Sequence, residues 1–296
     1  MTQTISLVEV GPRDGLQNEK QTIDVATKVA LIERLADAGM KSVEGGAFVS
    51  PKWVPQMAAS DEVMQKIKRA PGVSYPVLTP NRQGYEGARA AKADTVAVFG
   101  AASESFSQKN INCSIEESFE RFKPIIEAAK ADGVRVRGYV SCVLGCPYEG
   151  AISPSQVLPV ARTLYDLGCY EISLGDTIGA GTPKETKALI KLLAQELPIS
   201  ALAGHFHDTY GQALSNIWAA IDEGVTTFDC SVSGLGGCPY AKGASGNVAS
   251  EDVVYSLERS GLKTGVNLDK LIETSLWISE QLGRKPGSKV TLARSA

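Results

Sequence analysis

His205 and His207 are the only imidazoles in the chain, and they stand two apart in G-H-F-H-D-T-Y-G at 204–211. Side chains two apart on an extended strand point to the same face, so both rings can reach one point in space. That spacing suits a metal ion, for which imidazole is the commonest ligand. The competing reading makes them core histidines, each needing its own buried hydrogen-bond partner. Asp14 in P-R-D-G and Asn247 after a glycine-rich stretch can add oxygen ligands, with room left for substrate or water. Imidazole and oxygen donors without thiolate favour an octahedral divalent ion, Mg2+ or Mn2+, with Zn2+ the lesser alternative.

Arg13 adjoins Asp14, and a guanidinium beside a metal is well placed to hold a developing enolate oxygen. Asp14 also has a plain reading as a turn residue, and Glu44 as partner to a neighbouring arginine. Cys238 lies in G-L-G-G-C-P-Y at 234–240, where three glycines give the backbone freedom to close over a site. Its thiol reads equally as a proton carrier or as a small buried hydrophobe. No Lys-Ser/Thr pair follows those glycines, which argues against a phosphate cradle.

These residues can share a site only if the fold gathers them. Apolar, β-prone runs fall at 5–10, 41–47, 73–79, 94–99, 134–141, 170–174, 200–206 and 226–232. Helical periodicity follows each, over 25–36, 57–69, 82–92, from 114, from 153, from 182, over 212–222 and from 250, with a long loop expected between 99 and 114. Asp24 caps the first helix; Ser114 with Glu117, Ser153 with Gln156 and Thr182 with Glu185 have capping-box spacing. Eight alternating units without a linker predict one α/β domain over 1–296: a (β/α)8 TIM barrel over about 5–262, then a helical extension over 263–296 with a helix at 268–282. A doubly wound sheet is the rival, but the first strand-to-helix turn lacks G-x-G-x-x-G. In a barrel the strand C-termini build the site, which brings Arg13, Asp14, Gln17, Glu44, Tyr139, Asp176, Thr177, His205, His207, Asp208, Cys238 and Asn247 to one face.

With 30 basic and 33 acidic residues and no basic run, nucleic-acid and membrane-surface partners are not expected. Residues 1–4 run straight into the first strand without a signal-like leader, and six cysteines lack C-x-x-C spacing, so a reducing cytoplasm is the expected setting.

The chain resembles the 3-hydroxy-3-methylglutaryl-CoA lyase family. The resemblance is carried by V-E-V-G-P-R-D-G-L-Q-N-E at 8–19, F-V-S-P-K-W-V-P-Q-M at 48–57, N-I-N-C-S-I-E-E-S at 110–118 and R-G-Y-V-S-C-V-L-G-C-P-Y at 137–148. It continues through S-L-G-D-T-I-G at 173–179, H-F-H-D-T-Y-G-Q-A-L at 205–214 and G-L-G-G-C-P-Y-A-K-G-A-S-G-N at 234–247. R-D-G and H-x-H are shared with isopropylmalate and homocitrate synthases, whereas G-G-C-P-Y and F-V-S-P-K-W are particular to the lyase.

The resemblance implies metal ligands Asp14, His205, His207 and Asn247, with Arg13 at the thioester carbonyl. It implies functional roles for Glu44, Asp176, Glu251 and Cys238, and Gln17, Tyr139 and Thr177 join Arg13 as expected substrate contacts. The implied reaction cleaves 3-hydroxy-3-methylglutaryl-CoA to acetoacetate and acetyl-CoA, in leucine degradation or ketone-body metabolism, with no organic cofactor beyond the substrate's CoA; a homodimer is expected. Two departures stand out: Gly45-Gly46-Ala47 is smaller than the hydroxylated residues often found there, and Ala293-Arg294-Ser295-Ala296 carries neither a terminal cysteine nor a peroxisomal tripeptide. The alternatives are an acyl-CoA/2-oxoacid condensing synthase of the same superfamily and a non-catalytic barrel that binds metal or acyl-CoA.

Overall fold

The computed structural model describes residues 3–237 and 245–296. Among them, nine strands form one sheet in which every pairing is parallel: β1 (Ser6–Glu9), β2 (Ser42–Val43), β3 (Gly46–Ala47), β4 (Val77–Leu78), β5 (Thr95–Ala101), β6 (Arg135–Ser141), β7 (Glu171–Asp176), β8 (Leu202–Phe206) and β9 (Thr227–Cys230). Their spatial order is β2-β1-β9-β8-β7-β6-β5-β4-β3. Parallel neighbours need crossovers, and helices supply them: α1 (Val25–Asp37), α2 (Ser60–Lys66), α3 (Arg82–Ala90), α4 (Glu104–Ile111), α5 (Ile115–Ala131), α6 (Pro154–Leu167), α7 (Pro183–Leu193), α8 (Ala213–Asp222) and α9 (Ser250–Arg259). Then come α10 (Leu268–Gln281) and α11 (Lys289–Arg294). No helix of the described residues is long and apolar enough to cross a membrane.

The caps form as their spacing predicts. Asp24 accepts the Thr27 N–H at 2.7 Å, and all three capping boxes close reciprocally. The stretch between β5 and α5, expected as loop, holds α4 instead. Its eight residues are too few to show a period, but Ser103 accepts the Phe106 N–H at 3.1 Å and Asn112 ends the helix at φ +52°.

The expected second strand is interrupted at Glu44-Gly45, and the two ends of the sheet, β2 and β3, are its halves. Glu44 N–H still donates to Glu9 O on the β1 side (2.9 Å), and Gly45 N–H to Pro76 O on the β4 side (2.8 Å). A Cβ at Gly45 would stand 2.3 Å from Met64 Sδ, and one at Gly46 2.6 Å from Ser60 Oγ. Both small residues therefore accommodate α2, and Ser60 Oγ in turn accepts the Ala47 N–H at 3.1 Å.

Candidate active site

Arg13 and Asp14 ride on a π-helical turn, Gly11–Gly15, that leaves β1. Such turns are rare and recur at functional sites. Its glycines are dictated by close approach, since a Cβ on Gly15 would lie 2.7 Å from Ser231 Oγ and 2.8 Å from Leu235 Cβ. Beneath it, buried Glu9 accepts the backbone N–H groups of Gly11 (2.8 Å) and Val232 (2.9 Å) on one oxygen and Ser250 Oγ (2.5 Å) on the other. One carboxylate thus joins the turns that follow β1 and β9. Burial pushes it up to about 8 despite those donors.

Arg13 is clamped on both sides. Its Nε donates to Glu44 Oε2 at 2.8 Å, Nη2 to Glu44 Oε1 at 3.2 Å and Nη1 to Asp14 Oδ1 at 2.8 Å. Tyr139 OH donates to Glu44 Oε1 at 3.1 Å, and the Tyr139 ring centroid lies 5.5 Å from the guanidinium carbon. Burial opposes the charge, but Glu44 and Asp14 outweigh it and hold Arg13 above the ordinary arginine range. Burial likewise works against the Asp14 carboxylate, yet Arg13 and the two histidines bring it down to about 2.

The histidines meet Asp14 from the opposite side. His205 ends β8 one residue short of its terminus, and its Nδ1 lies 3.0 Å from Asp229 Oδ2, leaving Nε2 4.0 Å from Asp14 Oδ2. His207 follows the strand and pairs with Asn247 in an isolated antiparallel bridge, with its ring centroid 5.3 Å from that of His205. That bridge brings Asn247 Nδ2 to 2.8 Å from Asp14 Oδ2. Turning the amide over presents Oδ1 to the same point.

Does this set fit a metal ion? Ligating atoms of Asp14, His205 and His207 all lie within 4.8 Å of one another. His207 Nδ1 is buried without a well-formed hydrogen bond among the described residues, and the Thr177 backbone interacts with the ring only weakly. A core histidine left that way loses about 1–3 kcal/mol, so the second reading of H-x-H accounts for His205 but not for His207. Burial and the neighbouring His205 push His207 down to about 4, which keeps its ring neutral and able to ligate. One carboxylate and two imidazoles beside an amide fit a divalent cation.

Behind the cluster lies a layer that sequence reading missed. Asp229 Oδ2 also accepts Ser173 Oγ (2.8 Å) and Arg137 Nη1 (3.1 Å), and Arg137 Nε donates to Glu171 Oε1 at 2.7 Å. The available signal was a charged residue inside otherwise apolar strands, as in V-R-V-R-G-Y and T-F-D-C.

Other expected site residues sit elsewhere or serve the backbone. Asp176 accepts the N–H groups of Gly181 (2.8 Å) and Ala180 (3.2 Å), which shapes the loop after β7; burial raises it to about 6 against those bonds. Thr177 Oγ1 accepts the Cys142 N–H at 2.8 Å, steadying a residue at φ +62°. Glu251 accepts Ser233 N–H (3.1 and 3.0 Å) and Thr291 Oγ1 (3.0 Å), so it joins the turn after β9 to α11 and not to the histidines. Asp208 accepts the Ala213 N–H at the start of α8 (3.0 Å). Gln17 is half-buried just beyond the π-helical turn. Cys238 lies outside the described residues.

The HMGL-like family model matches residues 4–278. The hydroxymethylglutaryl-CoA lyase of Pseudomonas mevalonii is 59% identical over 294 residues, covering 99% of this chain and 98% of that protein. The chain belongs to the hydroxymethylglutaryl-CoA lyase family. Within it, the 3-hydroxy-3-isohexenylglutaryl-CoA/hydroxy-methylglutaryl-CoA lyase of Pseudomonas aeruginosa is 58% identical over 293 residues, covering 99% of this chain and 98% of that protein. The crystal structure of hydroxymethylglutaryl-CoA lyase from Pseudomonas aeruginosa is similar at a TM-score of 0.97 and 58% identity, covering 99% of this chain and 98% of that one. Membership makes this chain a lyase and favours neither the condensing-synthase nor the non-catalytic reading.

Proposed function

We propose that the chain cleaves 3-hydroxy-3-methylglutaryl-CoA to acetoacetate and acetyl-CoA on the C-terminal face of a closed (β/α)8 barrel. Closure is supported by the backbone bonds that Glu44 and Gly45 make to opposite neighbours at the junction of β2 and β3. One observation carries the site: Asp14, His205 and His207 converge beside an Arg13 whose guanidinium is held by Glu44. These three residues, with Asn247, would hold a divalent ion, read as Mg2+ or Mn2+ in preference to Zn2+ from the donor set.

In the reaction a base of the site takes the proton of the C3 hydroxyl, C3 becomes the ketone carbon of acetoacetate as the C2–C3 bond breaks, and the electron pair of that bond moves into the thioester as an enolate that is then protonated at C2. A divalent ion held by Asp14, His205, His207 and Asn247 would supply Lewis acidity that lowers the pKa of the C3 hydroxyl. Arg13 is the group suited to the enolate oxygen, because both carboxylates flanking it fix its plane before substrate arrives. Tyr139 and Glu44 form the wall that keeps the guanidinium in place. Asp14 stays ionised at neutral pH and serves as ligand and as the second anchor of Arg13. Asp176, Thr177 and Glu251 contribute by shaping the loops, Gln17 by contacting substrate, and Cys238 by returning the proton to C2.

The five described cysteines are free thiols, which supports a reducing cytoplasmic setting. The reading includes a homodimer and a place in leucine degradation. The test is acetoacetate release from 3-hydroxy-3-methylglutaryl-CoA after chelation, and again with Mg2+ or Mn2+ restored. Release only with the ion supports the reading; no release with any divalent ion refutes it.

A further inference from the structure

Arg137, on β6 and 1% exposed, is the largest fully buried side chain among the described residues. Two of its three nitrogens donate hydrogen bonds, and the third makes only an ion-pair contact. Nε donates to Glu171 Oε1 at 2.7 Å; Nη1 donates to both Tyr139 OH (2.8 Å) and Asp229 Oδ2 (3.1 Å); and Nη2 makes an ion-pair contact with Asp229 Oδ1 at 2.8 Å. Its guanidinium carbon lies 5.0 Å from the Tyr139 ring centroid. Two limbs diverge from this one cation. The first passes through Asp229 to His205 Nδ1 (3.0 Å), and the second through Tyr139 OH to Glu44 Oε1 (3.1 Å), which grips Arg13.

We propose that Arg137 is a positioning residue that locks the cation-ligand side and the Arg13 side of the site into one assembly. The inference rests on reading Asp14, His205 and His207 as cation ligands. Asp229 cannot turn without breaking bonds to Arg137, Ser173 and His205 together, so the plane and tautomer of His205 are set from behind. The same Nη1 donates to both Asp229 and Tyr139, so displacing Arg137 disturbs Asp229 and the hydroxyl that meets Glu44 together. Lysine cannot replace it, because one ammonium lacks the planar fork that spans Glu171, Asp229 and Tyr139.

The test measures Mn2+ dissociation constants on the full chain by the electron paramagnetic resonance of free Mn2+, alongside kcat, KM and melting temperature. In Arg137→Met and in Asp229→Asn, Mn2+ binding weakens by about 10–100-fold, as for other residues that orient a ligand from behind. The double variant stays within about threefold of the worse single one, because the two act as a unit. At saturating Mn2+, Asp229→Asn recovers kcat to within about threefold, whereas Arg137→Met stays at least about tenfold down through the Arg13 limb. Arg137→Lys rescues neither.

A purely structural Arg137 would lower the melting temperature and leave the Mn2+ constant of the folded protein within about twofold of the parent, which overturns the proposal. Additive losses in the double variant, or recovery of kcat by Arg137→Met at saturating Mn2+, overturn it as well. Should Arg137→Met not fold, Glu171→Ala removes only the remote partner of Nε; a loss of Mn2+ affinity of about two- to fivefold supports the proposal and no change refutes it. If the parent protein and His205→Ala bind Mn2+ equally, the cation site itself fails, and this inference falls with it.

Discussion

Replacing Glu9 by glutamine isolates the effect of one buried proton on the scaffold that carries Arg13. Glu9 Oε1 takes two backbone N–H groups and Oε2 takes the Ser250 hydroxyl, so glutamine can keep the first pair while its amide donates to a reversed Ser250 Oγ. Burial raises Glu9 from 4.5 to about 8, above its value in the unfolded chain. Its contribution to stability is therefore complete below pH 4.5 and is lost progressively as pH rises through 8. At about 1.36 kcal/mol per pH unit, the whole interval amounts to about 5 kcal/mol. Glu251, raised to about 7 mainly by burial, adds a loss of the same sign that both chains share.

Urea unfolding at pH 5, 6, 7 and 8, at constant ionic strength, reads the difference directly. At pH 5 the two chains are expected within about 1 kcal/mol of each other, because a protonated carboxyl and an amide have nearly the same shape. By pH 8 the glutamine variant should be ahead by about 4 kcal/mol, with the gap opening by about 1.4 kcal/mol per pH unit. A gap that does not change with pH would show that Glu9 is ionised in the folded protein and that its three donors outweigh its burial.

The remaining expectations concern the site and its supports. His205→Ala should lose Mn2+ binding and turnover together, whereas Arg13→Met should keep Mn2+ binding, measured by calorimetry, and lose about 10²–10³ in kcat. Gly45→Ala sets a Cβ against Met64 Sδ and should lower stability by about 1–3 kcal/mol, towards the lower end because methionine can yield; adding Met64→Ala should recover part of the loss in thermal melts. Asp176→Asn keeps one acceptor where two backbone N–H groups converge, and should cost about 1–3 kcal/mol in urea unfolding.

Local physics made much of this legible in the chain itself. Apolar runs of strand length, each followed by a helical period and often by a capping box, announce parallel strands with helical crossovers, because both signals depend only on neighbours a few residues away. H-x-H announces two imidazoles aimed at one point for the same reason: two residues along a strand share a face. Glu44 as partner to an arginine was readable as an alternative, and the structure supplies that partner as Arg13. Short elements were harder. α4 shows in its caps more than in its periodicity, and β2 and β3 looked like one strand because nothing in E-G-G-A reveals that Met64 and Ser60 fill the space beside the glycines.

What only the folded chain decides is which distant polar groups meet. Asp229 stands 24 residues from His205, and Arg137 stands 92 from Asp229, separations over which no local rule pairs a charge with its partner. Asp176 and Glu251 look like Asp14 and Glu44 in the sequence, as carboxylates near strand ends, yet they accept backbone N–H groups while Asp14 and Glu44 hold Arg13. The difference is set by where burial leaves an unpaired donor. The chain specifies which residues can do chemistry, and the packing of the sheet decides which of them are free to do it.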